Sequence, residues 1–566
     1  MFTQRTRRAA ALAPLALLLG GLVALAGGAA APVAHARPAV GLVCPAGTNP
    51  RSAHPGNPAV GASFAHTIHV PADRPTIQAA VDAARPGDLV LIAPGTYTEN
   101  VVVCSPDITI RGQDRNSTIL DGTTQEKRSS AFTVLADNVV IENLTAHHYS
   151  GNGFWWYEVT GYRGSYLTAW DNGDYGIYAF GSTVGQFDHS YASGSPDSGF
   201  YIGQCFPCDA LITDVHSEWN GLGYSGTNAG GNLIIQNSEW DMNGAGIVPN
   251  SLDSEEKPPQ RGATLTGNDV HDNGNDAAPS NHSTHPGQGA GIALPGGDLN
   301  YVANNRVTNS SLYGILVIAN VDQNLWLASG NVVERNTVSG SGLADLALAG
   351  PSGGGNCFTD NRAKTTAPAL LEFLHPCGSP QGLNSGGDFG ITLRLLAQYV
   401  NSTGPNFHPA DYRQIKAPPS QASMPDVQAP PAPLFTQPFT INHSHGSYPA
   451  AVTPGGPGML APLGFTAYSI VQILLSLYGN LLLFALYAAW LAVAFVELAS
   501  RGELSDRQRF GWGALVLLVP IVGPIVYYFA SGSKLSRRLR LALVVAAPLL
   551  CLVITALLMV VASFAL

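Results

Sequence analysis

Glu218, Glu239, Asp241, His271 and Asp272 lie within 55 residues of one another along the chain. Carboxylates and an imidazole brought into reach of one another are the groups that carry general acid and base chemistry. Two carboxylates sharing a site repel, and one is then held protonated at neutral pH, as a general acid requires. Trp219 and Trp240 each follow a glutamate, as Glu218-Trp219 and Glu239-Trp240. Placed in register on neighbouring strands, their flat indole faces would suit the apolar C–H faces of pyranose rings. Just downstream, roughly over Asn273–Gln288, a longer interruption carries His282 and His285. An Asp/His cluster beneath a His-bearing loop is a candidate site for a divalent metal, although two ligands alone do not make one. Ca²⁺ is the cation an acid-rich site would take. The competing reading is a solvated polar ladder, with Asn, Asp and Ser satisfying turn backbone. Register decides between the two. Val270, Val307 and Val338 occupy a related column and read as inward-facing, and a slip of one residue would turn each side chain to the opposite face.

These residues recur within a repeat. Segments starting at Asn143 (NLTAHHYSGNGFWW), Tyr166, His189, His216, Asn237, Asn268, Asn305, Asn336 and Asn361 share one pattern. A short strand-like piece leads to a polar Asn/Gly/Asp turn, then to a second apolar strand opening on Gly or a small residue. Units of this size cannot close a core alone, but stacked coil on coil they can, which is the physics of a parallel β-helix. Helical repeats would be broken by Gly and Asn every few residues. The aromatic run Phe154-Trp155-Trp156-Tyr157 reads as core and edge cover. The fold class expected is therefore all-β, a right-handed parallel β-helix solenoid, followed by a C-terminal α-helical membrane module.

Solenoid ends expose strand edges and need caps. Pro75–Val101 (PTIQAAVDAARPGDLVLIAPGTYTENV) supplies a short helical pattern, a strand and a turn before the first coil, and Ile391–Val400 is a candidate closing helix. The opening stretch resembles the start of right-handed parallel β-helix proteins of the pectin-lyase-like superfamily. That resemblance covers about 66–378 and implies fold rather than activity, because the superfamily houses lyases, hydrolases, esterases, epimerases and binders. Gly95-Thr96-Tyr97-Thr98-Glu99-Asn100-Val101 is similar to the opening of pectin methylesterases, but their later Asp and Arg motifs have no counterpart here. The nearest string to the polygalacturonase Arg-Ile-Lys, Arg413-Gln414-Ile415-Lys416, lies outside the repeat. Pectate lyases would pair a Ca²⁺-binding acid cluster with an Arg base, whereas Arg306, Arg335 and Arg362 sit far along from the acids. No named activity is inherited.

Composition supplies the address. Only 12% of the 566 residues are charged and 45% are hydrophobic. The formal charge of -10 is uneven: residues 37–460 carry 18 basic and 35 acidic residues, and the C-terminal part is basic. An acidic middle excludes a phosphate-binding groove, so no nucleic-acid partner is expected. Arg5, Arg7 and Arg8, an apolar run and Ala34-His35-Ala36 have the features of a signal peptide over 1–36. Export accounts for an even set of cysteines, paired by proximity as Cys44–Cys104, Cys205–Cys208 and Cys357–Cys377, with Cys551 left in a membrane segment. The organisation expected is an N-terminal extension (37–65), β-helix with N-terminal cap (66–378), C-terminal cap (379–408), Pro-rich spacer (409–465) and membrane module (466–566). Within that module, apolar runs of about 467–496, 511–530 and 541–566 reach spanning length. Glu497, a short charged loop and Pro520-x-x-Gly523-Pro524 make it similar to the amino-terminal module of the phospholipase D/cardiolipin synthase family. That family's His-x-Lys-x4-Asp motif is absent, so no phospholipase D activity is implied. The positive-inside rule is met by a re-entrant hairpin over 511–530, bent near Pro520–Pro524; three ordinary spans, with one loop against the rule, are the equal alternative.

The function expected is recognition of an extracellular polysaccharide by a cell-surface, bilayer-anchored β-helix, with its processing left open. If catalytic, it is a lyase, hydrolase or epimerase. The alternative is a non-catalytic envelope scaffold that uses its long faces for protein partners.

Overall fold

In the computed structural model, the described residues are 43–57, 63–125, 129–280, 287–378, 386–402, 410–435, 491–518 and 522–531, with Ser533, Leu535, Ser536 and Arg540. His282, His285 and Cys551 lie outside them, as do residues 1–42, 436–490 and 541–566, which hold the expected signal peptide and most of the first and third apolar runs. Among the described residues no helix is long and apolar enough to cross a membrane.

Short strands stack in parallel from Thr67–Val70 to Thr366–Ala367, each hydrogen-bonded to its equivalents on neighbouring coils. One 20-stranded sheet bends around the solenoid and an 11-stranded sheet closes it. The 11-stranded sheet runs in chain order from Val101–Val103 through Ala245–Asn250 to Thr366–Ala367. A small antiparallel hairpin, Asn320–Val321 with Leu325–Trp326, stands apart from this pattern.

Period-2 alternation sends one column of each strand inward. In one series of adjacent strands the inward column reads Leu120, Ala146, Ala169, Ala192, Ser217, Trp240, Val270, Val307 and Val338, all buried. The small residues in its middle leave room for rings from the facing sheets. Phe187 and Phe200 have ring centroids 6.4 Å apart, and Phe200 meets Trp240 at 5.9 Å. Where the chain turns between strands, asparagines point into the core and stack. Asn268, Asn305, Asn336 and Asn361 form one run: each of the first three donates its backbone N–H and side-chain amide to the Oδ1 of the next, at 2.9–3.0 Å. The same asparagines also bond carbonyls of the preceding coil, as Asn305 does with Leu265 at 2.9 Å. The frequent turn asparagines are thus internal ladders that pay the hydrogen-bonding debt of buried turns.

The N-terminal cap is the helix Ile77–Ala83, whose Ile77, Ala80 and Val81 are buried. Thr76 caps it by accepting from the Ala79 N–H at 3.1 Å. Glu99 accepts from the Ile77 and Gln78 N–H groups, both at 2.9 Å, placing a carboxylate on the helix's open donors. At the other end the helix Phe389–Ser402 lays Ile391 and Leu395 against the cluster around Ala347 and Ala349.

One expectation needs correction. The described part of the Pro-rich segment is extended but is not a free spacer, because residues 421–434 lie along the solenoid. Asn116 and Gln421 exchange hydrogen bonds at 2.8 and 2.9 Å, Met424 N–H donates to Asn143 Oδ1 at 2.8 Å, and Arg111 donates to the Val427 and Ala429 carbonyls. Proline-rich chain leaves its carbonyls free, and the solenoid's arginines and asparagines take them up. The run 511–530 is not one continuous helix, in keeping with the hairpin expected there. It is divided between Asp506–Leu518 and Val522–Ala530. Trp512 and Tyr527 have ring centroids 5.9 Å apart. Fifteen residues of unbroken helix would separate them by about 22 Å, so the chain folds back as a hairpin. Beside it, buried Glu497 accepts from Ser533 Oγ at 2.6 and 2.8 Å.

Cys205–Cys208 and Cys357–Cys377 are disulfides, and Cys44 and Cys104 are each disulfide-bonded.

Candidate functional site

Three successive strands, His216–Glu218, Glu239–Asp241 and Asp269–His271, each carry two ionisable residues separated by one inward residue. Alternation therefore places all six on the outer face. The pairing sets His216 beside Glu239 and Asp269, and Glu218 beside Asp241 and His271. The expected alignment of Glu218-Trp219 on Glu239-Trp240 is thus displaced by two residues. A displacement of two keeps the acids on the outer face, but it separates the tryptophans.

Trp240 is fully buried among Phe200 and Tyr224, with its indole N–H on Asn268 Oδ1 at 3.2 Å, and it offers no face to a ligand. Trp219 lies beyond the strand at φ 55°, half-buried, in a column of left-handed turn residues with Met242 and Asp272. The paired sugar platform is therefore not formed. An indole is too large and apolar to leave in water when the coil interior has room for it.

The outer residues hold one another in place. His216 Nε2 meets Asp241 Oδ1 at 2.7 Å, and the Tyr191 hydroxyl donates to Glu218 Oε1. His271 lies between Glu239, 3.2 Å from Nε2, and Asp272, 2.8 Å from Nδ1. Asn309 donates to the other Asp272 oxygen at 3.1 Å, and Arg306 pairs with Asp269. Burial opposes charge on both histidines, but the carboxylates prevail. Asp241 with Glu239 and Glu218 raises the His216 pKa, and Asp272 with Glu239 raises that of His271. The hydrogen bond from His271 holds the Asp272 carboxyl below its usual range. Burial and the Glu218 carboxylate together push the Tyr191 phenol upward.

A groove of about 590 Å³ opens beside this patch. His216, Glu239 and Asp269 form one side, Tyr166 and His189 another, and Gln421 and Ala422 of the docked Pro-rich segment also line it. Arg115 fastens the parts together. Fully buried, it donates to Thr168 Oγ1 at 2.7 Å, to the His189 carbonyl at 2.9 Å and to Ala422 at 3.1 Å. Burial without a carboxylate partner lowers its pKa to about 9. The cluster could hold a cation in two ways, through His216, Glu218 and Asp241 or through Glu239, Asp241 and His271; within each set the ligand atoms lie within 4.8 Å of one another.

All five sequence-predicted acid and histidine residues therefore fall in one neighbourhood. His216, Tyr191, Tyr166, His189 and Arg115 were not foreseen. The His-x-Glu, Glu-x-Asp and Asp-x-His strings carried a legible signal for His216, whereas Arg115 and the Pro-rich segment are joined only by folding.

Residues 152–325 match the family model for the right handed beta helix region, and residues 485–532 match that for the phospholipase D-nuclease N-terminal domain. The chain carries both modules. Among curated proteins none matches it. Solved structures of similar shape include the A-module of the Azotobacter vinelandii mannuronan C-5 epimerase AlgE4, at 17% identity and TM-score 0.37, covering 51% of this chain and 90% of that one. The DFA-IIIase of Arthrobacter chlorophenolicus A6 in complex with GF2 is similar at 12% identity and TM-score 0.36, covering 52% and 93%. The Dettilon tailspike protein is similar at 12% and 0.37, covering 52% and 62%.

Proposed function

We propose that the chain is an exported, envelope-anchored β-helix protein that cleaves an extracellular polysaccharide, with Glu218 and Asp241 as the carboxylate pair. The observation that carries this reading is the direct pairing of half-buried Glu218 with buried Asp241 on adjacent coils of the outer face, next to groove-lining His216 and Glu239. Their oxygens lie within 4.8 Å of each other, close to the roughly 5 Å that suits a nucleophile and an acid acting with retention at one glycosidic bond. His216 and Tyr191 fix the two carboxylates, so the pair meets a substrate already oriented. A neutral glycan suits the groove better than a uronan, because the surrounding face is rich in carboxylates. The disulfides support an oxidising compartment, and the phospholipase D-type module supports attachment to the bilayer.

The test is incubation of the purified full chain with neutral and acidic glycans, with and without Ca²⁺, following reducing ends and the anomeric configuration released. Reducing ends from a neutral glycan, lost in Asp241→Asn, would establish the reading. Unsaturated-uronate absorbance would replace it with elimination. Neither cleavage nor retention on any immobilised glycan would leave the envelope scaffold, a role favoured by the mutual pairing of the outer-face charges.

A further inference from the structure

A second cluster stands on the same outer face, toward the N-terminal end of the solenoid. Asp121 ends the strand Thr118–Asp121, and His147, its partner on the next coil, ends Val139–His147. Neighbouring residues of a strand point to opposite faces, but His148 has φ 59°, and this left-handed turn brings its ring back to the side of His147. The two Nδ1 atoms approach to 2.7 Å, and Asp121 Oδ1 lies 3.6 and 3.5 Å from them. Trp170, one coil further on, packs on both rings, with centroids at 4.6 and 4.7 Å, and restricts their rotation.

Thr123 donates its N–H and hydroxyl to Asp121 Oδ1 at 2.9 and 2.6 Å, and its Oγ1 lies 3.2 Å from His148 Nδ1, but the two facing imidazole nitrogens are not both satisfied by it. At most one proton can lie between the nitrogens. The histidines of the groove differ, since each is matched to a carboxylate at 2.7–3.2 Å.

An independent observation comes from Asp171. It is 1% exposed, and among the described residues its Oδ1 has no hydrogen-bond partner. Its Oδ2 faces His148 Nε2 at 3.8 Å. Gly194, its counterpart on the next coil, brings no side chain there, and a Cβ at that position would lie 2.5 Å from Asp171 Oδ1. An unmatched buried carboxylate is costly unless positive charge stands nearby. Charge on the His148 ring, supplied through a bound cation, would meet that need, and carboxylate-to-histidine contacts of this kind support metal ligands.

We propose that His147, His148 and Asp121 form a binding site for a zinc-class divalent cation, with Asp171 positioning His148 behind them. Two imidazoles and one carboxylate match the ligand preference of such ions, and the partial exposure of His148 leaves a position for water. With coils about 4.8 Å apart, His147 lies three coils, or about 14 Å, from Glu218 along the face, and none of Asp121, His147, His148 and Asp171 lines the groove, so the site is distinct from the Glu218/Asp241 pair.

The experiment uses the purified full chain, freed of metal with a chelator and titrated with Zn²⁺, and with Co²⁺ as the spectroscopic probe. One equivalent of Zn²⁺ is expected, with a Co²⁺ absorption band typical of nitrogen and oxygen ligands. Both should persist in the His216→Gln/His271→Gln double variant and disappear in His147→Ala. Asp171→Asn should weaken Zn²⁺ binding about tenfold or more. Circular dichroism checks folding, and should His147→Ala fail to fold, His148→Gln at the partly exposed position carries the test. Absence of Zn²⁺ binding by the wild-type chain would overturn the proposal. So would full retention by a folded His147→Ala or His148→Gln variant, or loss only in the His216/His271 variant.

Discussion

The outer-face residues work through pairs, and substitutions should reveal which member of each pair acts on substrate. Glu218→Gln and Asp241→Asn keep shape but remove the charge, so each should lower glycan cleavage by about 10²-fold or more, measured from reducing ends, without loss of fold. His216→Gln should instead leave partial activity, because it orients Asp241 and need not touch the bond being cleaved. The same histidine gives a pH signature. Its folded pKa is raised, so the Asp241 pair adds stability in full below the unfolded histidine value, and that stability is lost as pH rises through the folded value. Urea midpoints measured from pH 5 to 9 should show this loss in the wild-type chain and a smaller one in His216→Gln.

At the scale of strands and turns, the solenoid rests on inward columns and asparagine ladders rather than on any single coil. Trp240→Ala should cost about 3–5 kcal/mol by urea denaturation, since the ring fills the core between Phe200 and Tyr224. Half-buried Trp219 should cost much less when truncated, which separates the two tryptophans that look alike in sequence. Asn305→Ala removes the acceptor of Asn268 and the side-chain amide that donates to Asn336 and Leu265, and should cost about 1–3 kcal/mol. Arg115→Ala should loosen the docked Pro-rich segment. The expected readout is new proteolytic cleavage around residues 417–423 while the solenoid remains intact, because the Arg115 side chain joins Ala422 to Thr168 and His189.

For the molecule as a whole, a solenoid propagates contacts coil by coil, so its two ends are where it needs protection. The Ile77–Ala83 helix and the Phe389–Ser402 helix meet that need from opposite ends of the chain. In the C-terminal module, the contact between Trp512 and Tyr527 brings the two halves of an apolar run side by side. If the module lies in a bilayer, that hairpin keeps the segments flanking it on one side. Cysteines placed at Arg507 and Ser536, both exposed, should then be labelled from the same side by an impermeant reagent. Labelling from opposite sides would mean that the run crosses.

The repeat, the β-helix, its opening cap and the neighbourhood of Glu218, Glu239, Asp241, His271 and Asp272 were all written in the sequence. Alternation and turn residues are local properties, and they recur often enough to reveal themselves. Register was not legible. The two glutamate-tryptophan pairs invite an alignment two residues away from the one adopted, and the choice is made by the core, which takes in Trp240 and leaves Trp219 at a left-handed turn. The role of the Pro-rich segment was equally out of reach, since its composition specifies an extended chain and says nothing about which surface will satisfy its carbonyls. The approach of His147 and His148 depends on a single backbone angle. Sequence patterns report what each residue prefers locally; which residues meet across coils depends on packing between segments distant in the chain, and the tertiary structure alone decided that.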